Sequence, residues 1–136
     1  MTSQLEVIDR PLDNQIRLLV LQGELDRTTT PSLAATLRSA HSRDRLGVIV
    51  DLTELTSLDA SGIGLLRDSN LRLAGAGGRL VVVSDELRDA WLLATTRWGS
   101  TPDVFHSRAA AVAAVKRRSL LVQPMAVRSL LDVPAG

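Results

Sequence analysis

Two short and almost uninterrupted apolar runs, Val48-Ile49-Val50-Asp51-Leu52 and Leu80-Val81-Val82-Val83, restrict the possible folds of this chain more than any other feature. A strand with one solvated face alternates apolar and polar residues. A continuous run is instead expected of a strand covered on both faces or lying at a sheet centre. Between the two runs, the segment from Ser61 to about Ala74 has helical spacing, and a glycine loop at Gly75, Gly77 and Gly78 introduces the second run. A strand, a helix and a strand in succession favour a sheet covered by helices.

The rest of the chain extends this alternation. Leu5 and Val7, then Ile16, Leu18 and Val20, predict two strands joined by a turn containing Pro11, Asp13 and Asn14, an N-terminal hairpin. Residues 23–30 form a polar crossing segment. It ends at Thr30-Pro31, where Thr30 is the expected N-cap and Pro31 the first residue of a helix running to about His41. Ser84 is expected to cap a third helix, with Asp85 and Glu86 in its first turn and Trp91 on its core face. Val104 and Phe105 suggest a short last strand, and Ser107 opens a final helix with Val112 and Val115 facing inward. The order β-β-α-β-α-β-α-β-α predicts an α/β fold, a mixed sheet of about five strands with about four helices packed against it. The domain spans residues 1–117. Residues 118–136, with Leu120-Leu121, Pro124, Leu130-Leu131 and Pro134, form a C-terminal tail that is either disordered or a docking segment.

Composition excludes several functions. The chain has 136 residues, enough for one domain, and no cysteine, which rules out a disulfide framework, a thiolate metal site and a cysteine nucleophile. No run of 18 apolar residues occurs, and the first ten residues lack the features of a signal peptide, so neither membrane spanning nor secretion is expected and the default location is cytoplasmic. The net charge of +1 conceals an asymmetry: residues 1–115 carry 12 arginines against 14 carboxylates, while residues 116–136 carry four basic residues against Asp132. Lys116, Arg117 and Arg118 have a structural explanation at the C-terminus of the last helix, where cations suit the dipole. Aromatic residues make up only 2% of the chain, which disfavours a stacking platform for nucleic acid.

Motifs of catalysis and cofactor binding are absent. Asp59-Ala60-Ser61-Gly62-Ile63-Gly64 lacks the first glycine of G-x-S-x-G and misplaces the second, so it is no nucleophile elbow. Neither G-x-x-x-x-G-K-[ST] nor G-x-G-x-x-G occurs. His41 and His106 lie in different elements without acidic neighbours at ligand spacing, and both read as surface residues rather than metal ligands. No cofactor is expected.

The unusual segment is the one that follows the first apolar run. A loop through Ser57 leads to Ser61, placed to cap the next helix through its hydroxyl. At about 100° per residue, Ile63, Leu66, Asn70, Leu73 and Ala74 share one helix face, and Ser61, Gly64, Leu65, Asp68 and Arg72 share the opposite one. The serine then stands on an exposed face beside an apolar side chain and a patch without one, a surface open to close approach by another protein.

Asp-Ala-Ser-Gly-Ile-Gly after a V-I-V-D-L strand, with Gly23-Glu24-Leu25-Asp26 upstream, resembles the STAS domain of anti-sigma factor antagonists of the SpoIIAA type. The resemblance covers about residues 4–117. It implies a small mixed sheet with helices packed on it, and phosphorylation of the serine before the first glycine of D-S-S-G, here Ser61. The implied kinase is the anti-sigma factor itself, using ATP. The unphosphorylated protein would bind that factor and free the sigma factor, phosphorylation would release it, and a phosphatase would restore it. Asp26 and Asp59 match acidic positions near the phosphorylation site, and Ala60, Gly62, Gly64, Leu65 and Asp68 complete the expected partner surface. Ala60 departs from the family pattern by replacing its first serine. The alternative is a STAS subunit of a transporter or lipid-trafficking complex, or a sensor scaffold, in which Ser61 only caps its helix. An enzyme is the third and least supported class.

Overall fold

The computed structural model describes residues 2–40, 47–85 and 102–117. Strands β1 (Leu5–Pro11) and β2 (Ile16–Leu25) are followed by α1 (Thr30–Ala40), β3 (Gly47–Leu58), α2 (Ala60–Gly75), β4 (Arg79–Val83) and β5 (Asp103–Phe105). A third helix, α3, occupies 108–117. The strands form one mixed sheet in the order β1-β2-β3-β4-β5, with β1 antiparallel to β2 and every other pair parallel. The expected fold class is therefore observed, with three helices among the described residues. The helix expected after Ser84, with Trp91, lies outside them, as do His41, Arg118 and the tail.

The hairpin closes as its turn residues require. Asp13 Oδ1 accepts hydrogen bonds from the Gln15 and Ile16 amides at 2.8 and 2.9 Å, an Asx-type arrangement that lets a polar side chain replace strand pairing at the bend. Both predicted central strands are covered on two sides. Val48, Val50, Leu80 and Val82 pack with Leu33, Leu37, Ile63, Leu66 and Leu73 of α1 and α2, whereas Ile49, Val81 and Val83 pack with Ala111 and Val115 of α3.

Strands β2 and β3 are longer than the sequence pattern suggested. The segment from Gly23 continues as strand to Leu25, and the loop expected through Ser57 is strand as far as Leu58. The register explains why periodicity failed here. Val20 pairs with Asp51 but Gln22 with Glu54, and Gly23 pairs with Leu55 but Glu24 with Ser57. Each interval places one extra residue in β3, a bulge, and each bulge reverses which side chains face inward. The inward positions thus run Val48, Val50, Leu52, Leu55, Leu58, with spacings of two and then three. Gly23 serves this region differently: its φ is +107° and a Cβ there would lie 2.3 Å from the Gln4 carbonyl oxygen, so only glycine suits the close approach of β1.

The first bulge is held by Asp51, which is 1% exposed. Its Oδ1 accepts from the Thr53 amide at 2.8 Å and the Thr53 hydroxyl at 2.7 Å, and its Oδ2 accepts from Arg108 Nε at the start of α3. Burial pushes this carboxyl upward, but the Thr53 hydroxyl and amide and the Arg108 guanidinium outweigh it and hold the group below its ordinary range. One buried side chain thus fastens a bulge and a helix to the same point of the sheet.

Candidate functional site

The site lies where the chain leaves the ends of β2 and β3 and enters α1 and α2. Leu25 pairs with Leu58 at the last position of their ladder, and the Asp59 amide then donates to the Leu25 carbonyl at 3.2 Å. Asp26 and Asp59 thereby follow two paired residues at one end of the sheet.

Each acid organises the helix that follows it. Asp59 has extended backbone angles, φ −117° and ψ −178°, and its Oδ1 accepts from the Ser61 and Gly62 amides at 2.9 and 3.2 Å. Asp59 is therefore the N-cap of α2, and the expectation that Ser61 performs this role is corrected. Ser61 already lies inside the first turn, where its own amide is one of the donors being satisfied. Among the described residues its hydroxyl has no hydrogen-bond partner.

Thr30 is likewise not the cap of α1: its hydroxyl donates to the Arg27 carbonyl at 3.2 Å instead of accepting from a helix amide. The turn before α1 is organised by Asp26, whose Oδ1 accepts from the Thr28 amide and hydroxyl at 2.9 and 2.7 Å and from the Thr29 amide at 3.2 Å. Hydrogen bonds from the Ser3 and Thr28 hydroxyls and the Thr28 and Thr29 amides pull the Asp26 carboxyl down to about 2, so it stays ionised at neutral pH.

Gly62 and Gly64 differ in their physical role. A Cβ on Gly62 would lie 2.7 and 2.8 Å from Leu25 Cγ and Cδ2 and 3.0 Å from Leu58 Cδ1, so glycine lets the first turn of α2 rest on the ends of both strands. A Cβ on Gly64 would meet nothing within 4 Å. Its missing side chain is not required by the core.

Gly64 instead opens a cleft between α1 and α2. The cleft has a volume of about 380 Å³ and is walled by Ala60, Ser61, Gly64, Leu65 and Asp68 of α2 and by Thr30, Pro31 and Ala34 of α1. Five of the expected residues therefore come together, while Asp26, Asp59 and Gly62 support the walls without lining the space. Leu65 is half-buried and also packs against the core, so it is less exposed than its helix position implied. The expected apolar face of α2 needs two corrections: Ala74 is exposed, and Ser69 is buried in its place. Asn70 is half-buried and its Oδ1 accepts from the Leu80 amide at 3.0 Å, which ties α2 to β4.

The α1 wall was missed in the sequence. Its signal is Thr30-Pro31 followed by Ala34, small or short side chains beside the buried Leu33 and Leu37. Among the described residues no cluster of three His, Cys, Asp or Glu groups forms a metal site, His106 is exposed, and no helix is long and apolar enough to cross a membrane.

Comparison with known proteins agrees with this architecture. The family model described as "Mlab, STAS domain" matches residues 11–97. No curated protein gives a significant match. Among solved structures, an anti-sigma factor antagonist from Mycobacterium paratuberculosis aligns with a TM-score of 0.73 and 18% identity, covering 83% of this chain and 95% of that one. The antagonist SpoIIAA in its unphosphorylated form aligns with a TM-score of 0.67 and 18% identity, covering 82% and 96%. The phosphorylated form of SpoIIAA from Bacillus gives 0.63 and 18%, covering 81% and 99%. These structural matches establish the shared fold. With a family model spanning more than half of its length, the chain belongs to the STAS domain family.

Proposed function

We propose that this protein is an anti-sigma factor antagonist whose α1–α2 cleft binds a cognate anti-sigma factor, an ATP-using serine kinase, and that phosphorylation of Ser61 ends the binding. The observation that carries the reading is the division of labour at the start of α2. Asp59 caps the helix, which leaves the Ser61 hydroxyl at the cleft wall without a structural task. In this reading Ser61 is the substrate of the partner kinase, not a catalyst, and a phosphatase resets it.

A phosphoryl group adds a charge of about −1.5 to −2 at pH 7 and three acceptor oxygens. Position in the first helical turn moderates the cost in the free protein, because the helix dipole favours an anion and water solvates it. A closed interface is less forgiving. The capping amides are already engaged by Asp59, Asp68 borders the same cleft, and Asp26 is ionised in the turn before its other wall. Repulsion and desolvation totalling about 3 kcal/mol would weaken binding more than a hundredfold.

The test is to incubate the purified protein with ATP and its cognate anti-sigma kinase and locate the phosphate by mass spectrometry. Modification at Ser61, lost in Ser61→Ala, is expected. An active kinase that leaves Ser61 unmodified would refute the phosphoswitch and return the protein to the alternative of a STAS subunit or scaffold. If Ser61→Asp binds normally while Ser61→Ala does not, direct recognition of the hydroxyl replaces electrostatic release.

A further inference from the structure

Strand β1 is one edge of the sheet, and its register with β2 decides which of its backbone groups point outward. Just beyond the two ends of the ladder, the Glu24 amide donates to the Gln4 carbonyl and the Leu12 amide to the Ile16 carbonyl, both at 2.9 Å. An antiparallel ladder alternates between pairs that exchange hydrogen bonds and pairs that do not. Gln4 and Leu12 belong to the first kind, so Glu6, Ile8 and Arg10 also turn their N–H and C=O groups toward β2. Leu5, Val7 and Asp9 turn theirs away from the sheet. Pro11, which has no N–H, falls in the same outward set, where an edge strand accommodates proline.

The side chains of this edge divide by face. Ile8 packs on the α3 side of the sheet, and Glu6 and Arg10, two residues away in either direction, share that side. Leu5 and Val7 pack on the side of α1 and α2, the side that Asp9 also faces, and Asp9 is paired with Arg17. Glu6 and Arg10 are exposed, and among the described residues neither side chain has an ionic or hydrogen-bond partner. An unpaired acid and an unpaired base thus stand symmetrically about a half-buried isoleucine, on an edge with open backbone groups. The register of β1 with β2 also runs unbroken, without the bulge that commonly disables an edge.

We infer that β1 pairs antiparallel with β1 of a second copy of this chain, about a two-fold axis through Ile8, with Glu6 of each copy opposite Arg10 of the other. Opposed side chains must share a face, so a two-fold pairing of identical strands is centred on a residue. Charge selects which one. Centring on Glu6 or Asp9 sets like charges opposite each other, and centring on Val7 sets Glu6 against the partner's Ile8 and Asp9 against the partner's Leu5. With Ile8 at the centre, Val7 exchanges both outward hydrogen bonds with the partner's Asp9, and the Leu5 N–H reaches the carbonyl of the partner's Pro11. Glu6, Ile8 and Arg10 then occupy the pairs that exchange no hydrogen bonds, where side chains approach most closely. Asp9 brings no unpaired charge to the contact, because Arg17 holds it. The pairing joins two five-stranded sheets edge to edge and does not depend on the phosphoswitch.

Sedimentation equilibrium of the full chain over a range of concentrations tests the inference. The parent should form a dimer. Glu6→Arg and Arg10→Glu each set like charges opposite each other at both ends of the contact, and each should raise the dimer dissociation constant at least about tenfold. An equimolar mixture of the two variants should recover the dimer, since each copy then offers the charge that the other lacks, and the double variant E6R/R10E should recover it alone. Recovery is a result that misfolding cannot produce, and far-UV circular dichroism checks that each variant is folded. The cysteine-free sequence permits a second readout: Ile8→Cys should form a disulfide between copies on mild oxidation, whereas Val7→Cys, which is not opposed to its own counterpart, should not. A parent that stays monomeric at every concentration would overturn the inference, as would a dimer that both charge reversals leave intact, a mixture that fails to recover it, or cross-linking through Val7→Cys in place of Ile8→Cys.

Discussion

The two glycines at the start of α2 offer a sharp test of the packing argument, because the same substitution is expected to act with opposite signs two residues apart. In a helix interior, alanine is favoured over glycine by about 0.8–1 kcal/mol, since glycine loses more backbone freedom on folding. At Gly64 nothing lies within 4 Å of the new methyl group, so Gly64→Ala should realise most of this gain. At Gly62 the methyl would lie 2.7 and 2.8 Å from atoms of Leu25 and 3.0 Å from Leu58 Cδ1. Both leucines are buried at the ends of their strands, so neither can swing into solvent. Overpacking of this kind costs about 1–3 kcal/mol, and the helix gain offsets only part of it at the upper end. Gly62→Ala is therefore expected to be less stable than the parent by up to about 2 kcal/mol, and the two variants should differ by about 1–3 kcal/mol. Urea denaturation followed by circular dichroism measures this directly. With an m-value of about 1–3 kcal/mol/M, the two midpoints should be separated by on the order of 1 M. Equal midpoints, or a less stable Gly64→Ala, would refute the claim that only Gly62 is demanded by packing. Partner binding should follow a different order, because the methyl of Gly64→Ala projects into the cleft. A protein that is more stable yet binds its partner less tightly would mark Gly64 as an interface residue.

Three further predictions concern the acids and their partners. Asp59→Ala should cost about 1 kcal/mol through loss of the α2 cap, whereas Ser61→Ala should leave the thermal midpoint almost unchanged because its hydroxyl makes no capping bond. The Asp26 carboxyl is pulled down to about 2, below its unfolded value near 4, so its contribution to stability is complete above about pH 4 and disappears as pH falls through about 2. Asp26→Asn keeps an acceptor and loses the titration, and the slope of stability against pH across that window should flatten in urea titrations. Arg108→Met should destabilise the fold by about 1–3 kcal/mol, because Asp51 remains buried with only the Thr53 donors; Arg108 is 45% exposed, which keeps this below the cost of breaking a fully buried pair. A thermal shift measurement on this variant, with Arg108→Lys as the conservative control, decides the point.

What the sequence alone determined was the order of the elements and which residues stand at the start of α2. Apolar runs and helical spacing are local properties, set by which faces a segment must bury, and they identified the hairpin, both central strands, α2 and the serine at its start. Three decisions belonged to the tertiary structure. The first was the length of β3: its two bulges break the period of two at Leu52, Leu55 and Leu58, and a bulge exists only relative to the partner strand it is counted against. The second was the identity of the α2 cap. Asp59 and Ser61 are both competent acceptors, and the choice fell to the residue whose backbone is extended and whose amide is anchored to the Leu25 carbonyl. The third was the cleft, because Thr30, Pro31 and Ala34 are distant in sequence from Ser61 and meet it only when α1 and α2 pack side by side on one face of the sheet. Local periodicity reports what each segment buries, but register, anchoring and the space between two helices are relations between segments, and those exist only after the chain has folded.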